Sequence, residues 1–194
     1  MVSIKSPSMP MFRFRKSKEM RLSRRQCIHL LLYTLGIALV SVTVHEVAHI
    51  GAALAFGVQL SELKLGFMGM NPSVTLPEWL ASTPLTVVHY IGGLAAGAAL
   101  LLLYSVRLVW EYHHKPSFFS WSLGMITITL AAEQLATGYL EGRYHGAYIV
   151  GAASLFSPTN LLTYGWMVSA VFFHLSLCRW DKMRKRPEGD AQKT

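Results

Sequence analysis

The sequence predicts an all-α integral membrane protein with four transmembrane helices and a short β-hairpin-like segment at the membrane interface between helices 1 and 2. Three observations support this fold class. The chain of 194 residues is 52% hydrophobic and only 14% charged, which is more apolar than an ordinary soluble domain. Four apolar stretches each reach the roughly 20 residues that cross a hydrocarbon core of about 30 Å. Nearly all Lys and Arg residues lie in segments that four crossings would place on one side of the membrane.

The chain divides into a membrane core and two basic tails. Residues 1–27 contain Pro7 and Pro10, which discourage regular structure, so this segment is predicted to be a cytoplasmic tail. Residues 28–178 form the predicted core of four membrane helices. Residues 179–194 form a second cytoplasmic tail, whose positive charge suits contact with anionic lipid head groups. The first apolar stretch is longer than that of a signal peptide, so a cleaved leader is not expected.

The predicted spans cover residues 28–56, 84–109, 118–140 and 150–177. In the fourth span, Pro158 is expected to kink the helix, and neighbouring hydroxyl groups would satisfy the carbonyls that the kink frees. His174, near the end of the same span, is expected to lie among lipid head groups. His89, near the outer start of the second span, is expected to be a packing or interface histidine.

Residues 57–83 separate the first two spans. Leucines alternate with other residues around Leu60, Leu63 and Leu65, which is typical of a short strand. Turn-forming residues follow this alternation: Gly66, Gly69, Asn71 and Pro72. The segment is therefore predicted to form a hairpin that lies at the outer membrane interface.

The distribution of positive charge predicts the orientation of the chain. Eight Lys and Arg residues precede the first span, two lie within residues 107–117 and six follow the fourth span, against only Lys64 and Arg143 elsewhere. Because Lys and Arg favour the cytoplasmic side of short loops, both termini are predicted to be cytoplasmic. The confinement of charge to the flanks argues against a nucleic-acid-binding face. Membrane lipids are the expected surroundings of the core.

The first span contains the run His45-Glu46-Val47-Ala48-His49. This spacing places two imidazoles one turn apart on one helical face, with a carboxylate beside them. Neutral imidazoles bind Zn²⁺, and Glu46 is placed to take a proton from water that the ion acidifies. Ionisable groups inside a membrane are costly without a compensating partner, which favours a metal site over simple packing. The sequence therefore predicts His45 and His49 as zinc ligands and Glu46 as the catalytic base.

The run from His45 to Gly69, HEVAHIGAALAFGVQLSELKLGFMG, resembles the site-2 protease family of intramembrane zinc metalloproteases. That family has a HExxH helix, a small-residue stretch ending in Phe-Gly and a strand-like segment closing in Gly-Phe, and here Gly57, Gly66 and Phe67 occupy the matching positions. The second span, HYIGGLAAGAALLLLY, is similar to the family's next helix. The resemblance implies hydrolysis of peptide bonds in transmembrane protein or peptide substrates.

The third metal ligand is left open among three residues. The family uses an Asp in a Leu-Asp-Gly motif, eight residues after an Asn. This chain has Leu140-Glu141-Gly142 at the matching position and Glu133 in place of the Asn. Glu is an acceptable zinc ligand, so the resemblance implies Glu141, with Glu133 and His145 as alternatives. The carboxylate that does not bind metal would polarise the substrate or orient a ligand.

Two other functions fit the same residues. The zinc centre could hydrolyse an amide or ester of a membrane lipid instead of a peptide. The chain could also be a non-catalytic membrane protein that binds the metal structurally, but such a site has four protein ligands and no open position. A structural site also gives no reason to place Glu46 beside the metal.

Overall fold

The computed structural model describes residues 22–68, 71–80, 82–113, 117–144 and 156–184. Four long helices are present in these ranges: α1 at Arg24–Ala55, α2 at Ser82–His113, α3 at Phe118–Tyr144 and α4 at Pro158–Arg184. Between α1 and α2 lie a short 3-10 helix at Leu60–Glu62 and two strands, β1 at Lys64–Met68 and β2 at Asn71–Thr75. Most of both predicted tails falls outside the described residues.

The mostly helical fold and the hairpin between the first two helices are as predicted. Among the described helices, two are long and apolar enough to cross a membrane, Arg24–Ala55 and the Pro84–Glu111 part of α2. Four such helices were predicted, and two are found among the described residues. In α3, the polar side chains of Glu133, Gln134 and Glu141 interrupt the apolar sequence.

α1 begins and ends with well-defined caps. The Ser23 hydroxyl accepts a hydrogen bond from the Gln26 backbone N–H, and the Gln26 side chain accepts one from the Ser23 N–H. This reciprocal pair satisfies amide groups that the helix itself leaves free. At the other end, Gly57 adopts a φ of +88°, a backbone conformation that suits glycine and stops the helix.

Replacing Gly57 with alanine should destabilise the fold by about 1–2 kcal/mol, because a Cβ disfavours positive φ. The midpoint of unfolding in mixed micelles would measure the change. Gly51→Ala is the matched control, since Gly51 is helical and a methyl group there would meet no other atom within 4 Å. That variant should instead be stabilised, by roughly 0.5–1 kcal/mol. Equal effects of the two substitutions would contradict this interpretation of Gly57.

α1 buries one narrow stripe. Its buried residues are Ile37, Ser41, His45, His49 and Ala53. Each follows the last by four positions, so together they form a single helical face. The remaining faces expose large aliphatic side chains, with Leu39 and Val40 at 70% and 60% exposure. Apolar exposure on this scale indicates contact with lipid or a partner, and both histidines lie on the one face that meets the other helices.

The packing of α2 on α3 depends on glycine. A methyl group built on Gly93 would overlap the backbone of Gly138, and one built on Gly142 would overlap the ring of Tyr90. Each helix thus contributes glycines four residues apart, Gly93 and Gly97 on α2 and Gly138 and Gly142 on α3. Such small-residue pairs let two backbones approach closely and are common between membrane helices. The close approach fixes the position of the α3 residues between the glycines.

The hairpin has a different turn from the one predicted. β1 and β2 are antiparallel, with Lys64 opposite Thr75 and Met68 opposite Asn71. Three of the predicted turn residues lie in strands instead: Gly66 is in β1, and Asn71 and Pro72 begin β2. Leu60, predicted to lie in a strand, is in the 3-10 helix. Proline is compatible with an outer strand near its start, because its missing N–H need not enter the ladder.

An apolar cluster anchors the hairpin segment to the helices. Its buried members are Ala53, Val58, Leu63, Leu80 and Val88. They come from α1, α2 and both flanks of the hairpin, so the segment between the first two helices packs over one end of them. Burial of these side chains supplies the hydrophobic contribution that holds the hairpin in place.

α4 begins at Pro158, so the predicted kink at this residue is wrong. The Ser157 hydroxyl accepts a hydrogen bond from the Asn160 backbone N–H at 3.2 Å. Serine before the helix and proline at its first position are a favourable start, because that proline lacks an N–H that would otherwise go unpaired. No kink is needed to accommodate it.

His174 is also placed differently from the prediction. It is only 1% exposed and pairs with the Tyr104 hydroxyl at 2.8 Å, so it lies within the protein instead of among head groups. Nearby, Arg107 donates to Glu111 at 2.8 Å and to the Ser120 side chain at 3.0 Å. These contacts tie together α2, α3 and α4. Burial becomes favourable for such groups when each finds a polar partner.

Candidate metal centre

Three potential metal ligands from two helices meet between α1 and α3. His45 and His49 come from α1 and Glu141 comes from α3, and the three could hold a metal ion. The Glu141 Oε2 atom lies 3.0 Å from His45 Nε2 and 3.6 Å from His49 Nε2. Two ligand atoms about 2.0–2.1 Å from a tetrahedral zinc ion lie roughly 3.3 Å apart, which is close to both of these distances. The three ligand atoms all lie within 4.8 Å of one another.

The second nitrogen of each imidazole faces an oxygen acceptor. His45 Nδ1 lies 3.0 Å from Gln134 Oε1, and His49 Nδ1 lies 2.6 Å from the backbone oxygen of Val88. A carbonyl oxygen has no proton to donate, so each Nδ1 is the protonated donor. Each neutral imidazole then presents an unprotonated Nε2 atom, which is the form that binds metal.

Glu141 Oε2 is buried and has no hydrogen-bond partner among the described residues. An unpaired buried carboxylate oxygen is costly, and its nearest neighbours here are the lone pairs of two imidazoles. A cation bound between these three atoms would relieve that cost. Two imidazole nitrogens and one carboxylate oxygen form a donor set that zinc accepts, with room for a further ligand.

α2 covers both imidazoles at Gly92. A methyl group built on Gly92 would lie 2.6 Å from His49 Cε1 and 2.8 Å from His45 Cδ2, closer than real side-chain contacts. Because glycine has no Cβ, the α2 backbone passes directly over the rings. The site therefore depends on three helices, although only two supply the ligand group.

Glu46 lies beside the ligand group without belonging to it. It is half-buried on α1 and interacts electrostatically with His45, His49 and Glu141. The group of residues that could hold a metal does not include it. A carboxylate in this position is available to transfer protons.

The two alternative candidates for the third ligand were Glu133 and His145. Glu133 does not belong to the group. Its Oε2 accepts from Gln134 Nε2 at 2.8 Å and its Oε1 accepts from Thr137 Oγ1 at 3.3 Å. His145 lies outside the described residues. Of the two candidate carboxylates, Glu133 and Glu141, Glu141 is the one that meets both histidines.

The surroundings of the group are mainly apolar. Along α1, the cluster that anchors the hairpin lies on one side of the histidines. A second cluster, on the other side, contains Ile37, Leu100 and Ala131. His89 packs against His49 with ring centroids 6.4 Å apart, and it is not a member of the ligand group. Such surroundings strengthen electrostatic interactions within the site.

Sequence reasoning missed two contributors to this site. Gln134 stands seven residues before Glu141, a spacing of two turns that places both on one face of α3. That spacing could have indicated that Gln134 lies near the site. Gly92 lies in a run of small residues that indicated close packing but nothing specific to a metal site.

No protein-family model, curated protein or solved structure matches this chain. Within the described ranges, it is a mostly helical chain with two helices able to cross a membrane. It also has a His45-His49-Glu141 group able to hold a metal ion.

Proposed function

We propose that this chain is an intramembrane zinc metalloprotease that hydrolyses peptide bonds of membrane-embedded proteins or peptides. The observation that carries the proposal is the meeting of His45, His49 and Glu141 beside Glu46. Zinc hydrolases use such a donor set, with a glutamate of the same helix as the base. The resemblance of the first helix and hairpin to the site-2 protease family supports peptide bonds as the target.

The membrane location rests on the apolar helices. α1 and most of α2 are long enough to cross a bilayer, and α1 exposes aliphatic side chains over most of its surface. We infer that α3 and α4 complete a four-helix membrane bundle against them, surrounded by lipid. The positive charge near both ends of the chain favours cytoplasmic termini.

The residues of the site divide the work of hydrolysis. His45, His49 and Glu141 would hold the metal. When bound, zinc would supply a Lewis acid that polarises the scissile carbonyl and acidifies water. Glu46 takes a proton from the attacking water and delivers it to the nitrogen of the leaving amine. A C–O bond forms as the C–N bond breaks, so the products are a carboxylic acid and an amine.

The decisive experiment compares the wild type with Glu46→Gln, purified in detergent and reconstituted into liposomes. Zinc content is measured for both, and each is incubated with a panel of transmembrane peptides and of lipid amides and esters. Both proteins should carry zinc. The wild type should cleave peptides, and Glu46→Gln should be slower by about 10²–10⁴-fold, because it lacks the proton-transfer group. Mass spectrometry of the products identifies the bond that is cut.

Glu78→Gln serves as the matched control, since Glu78 is an exposed carboxylate in the hairpin segment. It should retain both zinc and cleavage. Cleavage of lipid amides or esters alone would replace the protease with a lipid hydrolase. A wild type without zinc after reconstitution with the metal would overturn the metallohydrolase proposal.

A further inference from the structure

We propose that Glu133 and Gln134 form a hydrogen-bond relay that holds His45 in the tautomer able to bind metal. Both are positioning residues, since they act through His45 and not on the metal or the substrate. The inference rests on the proposed metal site. It assigns a role to Glu133, the carboxylate that does not meet the histidines.

The relay consists of two consecutive short contacts. Glu133 Oε2 lies 2.8 Å from Gln134 Nε2, and Gln134 Oε1 lies 3.0 Å from His45 Nδ1. Gln134 is 7% exposed and His45 is 6% exposed, so water has little access to the connection between them. Buried polar groups of this kind depend on each other for their hydrogen bonds.

The direction of the relay follows from the chemistry of its first member. Both Glu133 oxygens act as acceptors here, one of them from Gln134 Nε2, so the Gln134 amide turns its NH₂ group toward Glu133. The Gln134 oxygen must then face His45. An oxygen can only accept from Nδ1, so the proton of His45 lies on Nδ1 and the Nε2 lone pair faces Glu141.

The two histidines differ in how this tautomer is imposed. His49 Nδ1 donates to the backbone oxygen of Val88, which is an acceptor in any side-chain arrangement. The partner of His45 is a side-chain amide, which could present either oxygen or NH₂ to the ring. Only His45 therefore needs a second residue to select the orientation. Glu133 supplies that selection, and Thr137 holds its other oxygen by donating to it at 3.3 Å.

Exchanging the two residues provides a sharp test. In Gln134→Glu, two adjacent carboxylates face each other without a donor between them, so the arrangement should be disrupted. In the double variant Glu133→Gln/Gln134→Glu, the new glutamine can donate to the new glutamate, which can accept from His45 Nδ1. Zinc affinity, measured with Zn²⁺ and a competing chelator, should fall by about 10–100-fold in Gln134→Glu and recover in the double variant.

A second readout uses the metal-free full chain in detergent. Nitrogen-15 NMR of labelled histidines should show His45 protonated at Nδ1 in the wild type, assigned by comparison with His45→Gln. Glu133→Gln should shift part of the population to the Nε2-protonated tautomer, because a glutamine at 133 permits the Gln134 amide to reverse. Ser122→Ala is the control: it removes a buried hydroxyl of α3 that donates to the Phe118 carbonyl of the same helix, and it should change neither readout.

The outcomes separate the relay from the metal site. A wild type that binds zinc, with unchanged affinity in Gln134→Glu or no recovery in the double variant, overturns the relay and leaves the site intact. Unchanged His45 tautomers in Glu133→Gln also overturn it. A wild type that binds no zinc removes the proposed function, and the NMR measurement on metal-free protein then still tests the relay.

Discussion

Glu141→Ala should lower the affinity for zinc by more than about a hundredfold. Substitution of a residue that only orients a metal ligand should lower it by roughly 10–100-fold. The substitution removes the buried oxygen that lies 3.0 and 3.6 Å from the two imidazole Nε2 atoms. Without Glu141, the two histidines would supply only two of the four ligands of a tetrahedral ion. Zinc content after dialysis and chelator competition would measure the loss.

Two further variants sharpen this prediction. Glu141→Asp shortens the side chain by one C–C bond, about 1.5 Å. It should therefore bind zinc more tightly than Glu141→Ala but less tightly than the wild type, although the site-2 protease family uses aspartate as its third ligand. Glu78→Ala removes an exposed carboxylate and should bind zinc like the wild type. If Glu141→Ala kept its zinc while Glu133→Ala lost it completely, Glu133 would be the third ligand and the arrangement described here would be wrong.

Gly92→Ala should abolish zinc binding while leaving most of the helical fold in place. Its added methyl group would lie 2.6 Å from His49 Cε1 and 2.8 Å from His45 Cδ2, so the rings must turn away. Turning them breaks the hydrogen bonds of both Nδ1 atoms and misdirects both Nε2 atoms. Zinc affinity and circular dichroism, measured on the same preparation, would separate loss of the site from loss of the fold.

Neighbouring glycines provide the comparison for this variant. Gly93→Ala should instead destabilise the fold, because its methyl group would overlap the backbone of Gly138, which cannot rotate away. Gly36→Ala should leave zinc binding unchanged and, like Gly51→Ala, stabilise the fold slightly, since a methyl group there would meet nothing within 4 Å. Full zinc affinity in Gly92→Ala would show that α2 does not restrain the imidazoles.

Local features of the fold could be predicted from the sequence. Each long helix corresponds to an apolar stretch, and a hairpin lies in the segment for which one was predicted, although its strands begin only at Lys64. The spacing of His45 and His49 placed their side chains on one face because helical geometry alone determines it. Turn and boundary details were less accurate. A proline within an apolar stretch can either kink a helix or begin one. The hydrogen bond from the Asn160 N–H to the Ser157 hydroxyl shows that Pro158 begins α4.

The sequence by itself determined the apolar helices and the His-Glu-x-x-His face, because both depend on residues close together in the chain. Only the tertiary structure decided which carboxylate meets the histidines. Glu133 and Glu141 lie on the same helix, and the contacts between α1 and α3 show that Glu141 is the one that meets both histidines. The roles of Gln134 and Gly92 were hidden for the same reason. Contacts between helices depend on how closely their backbones approach, and composition along one helix does not contain that distance.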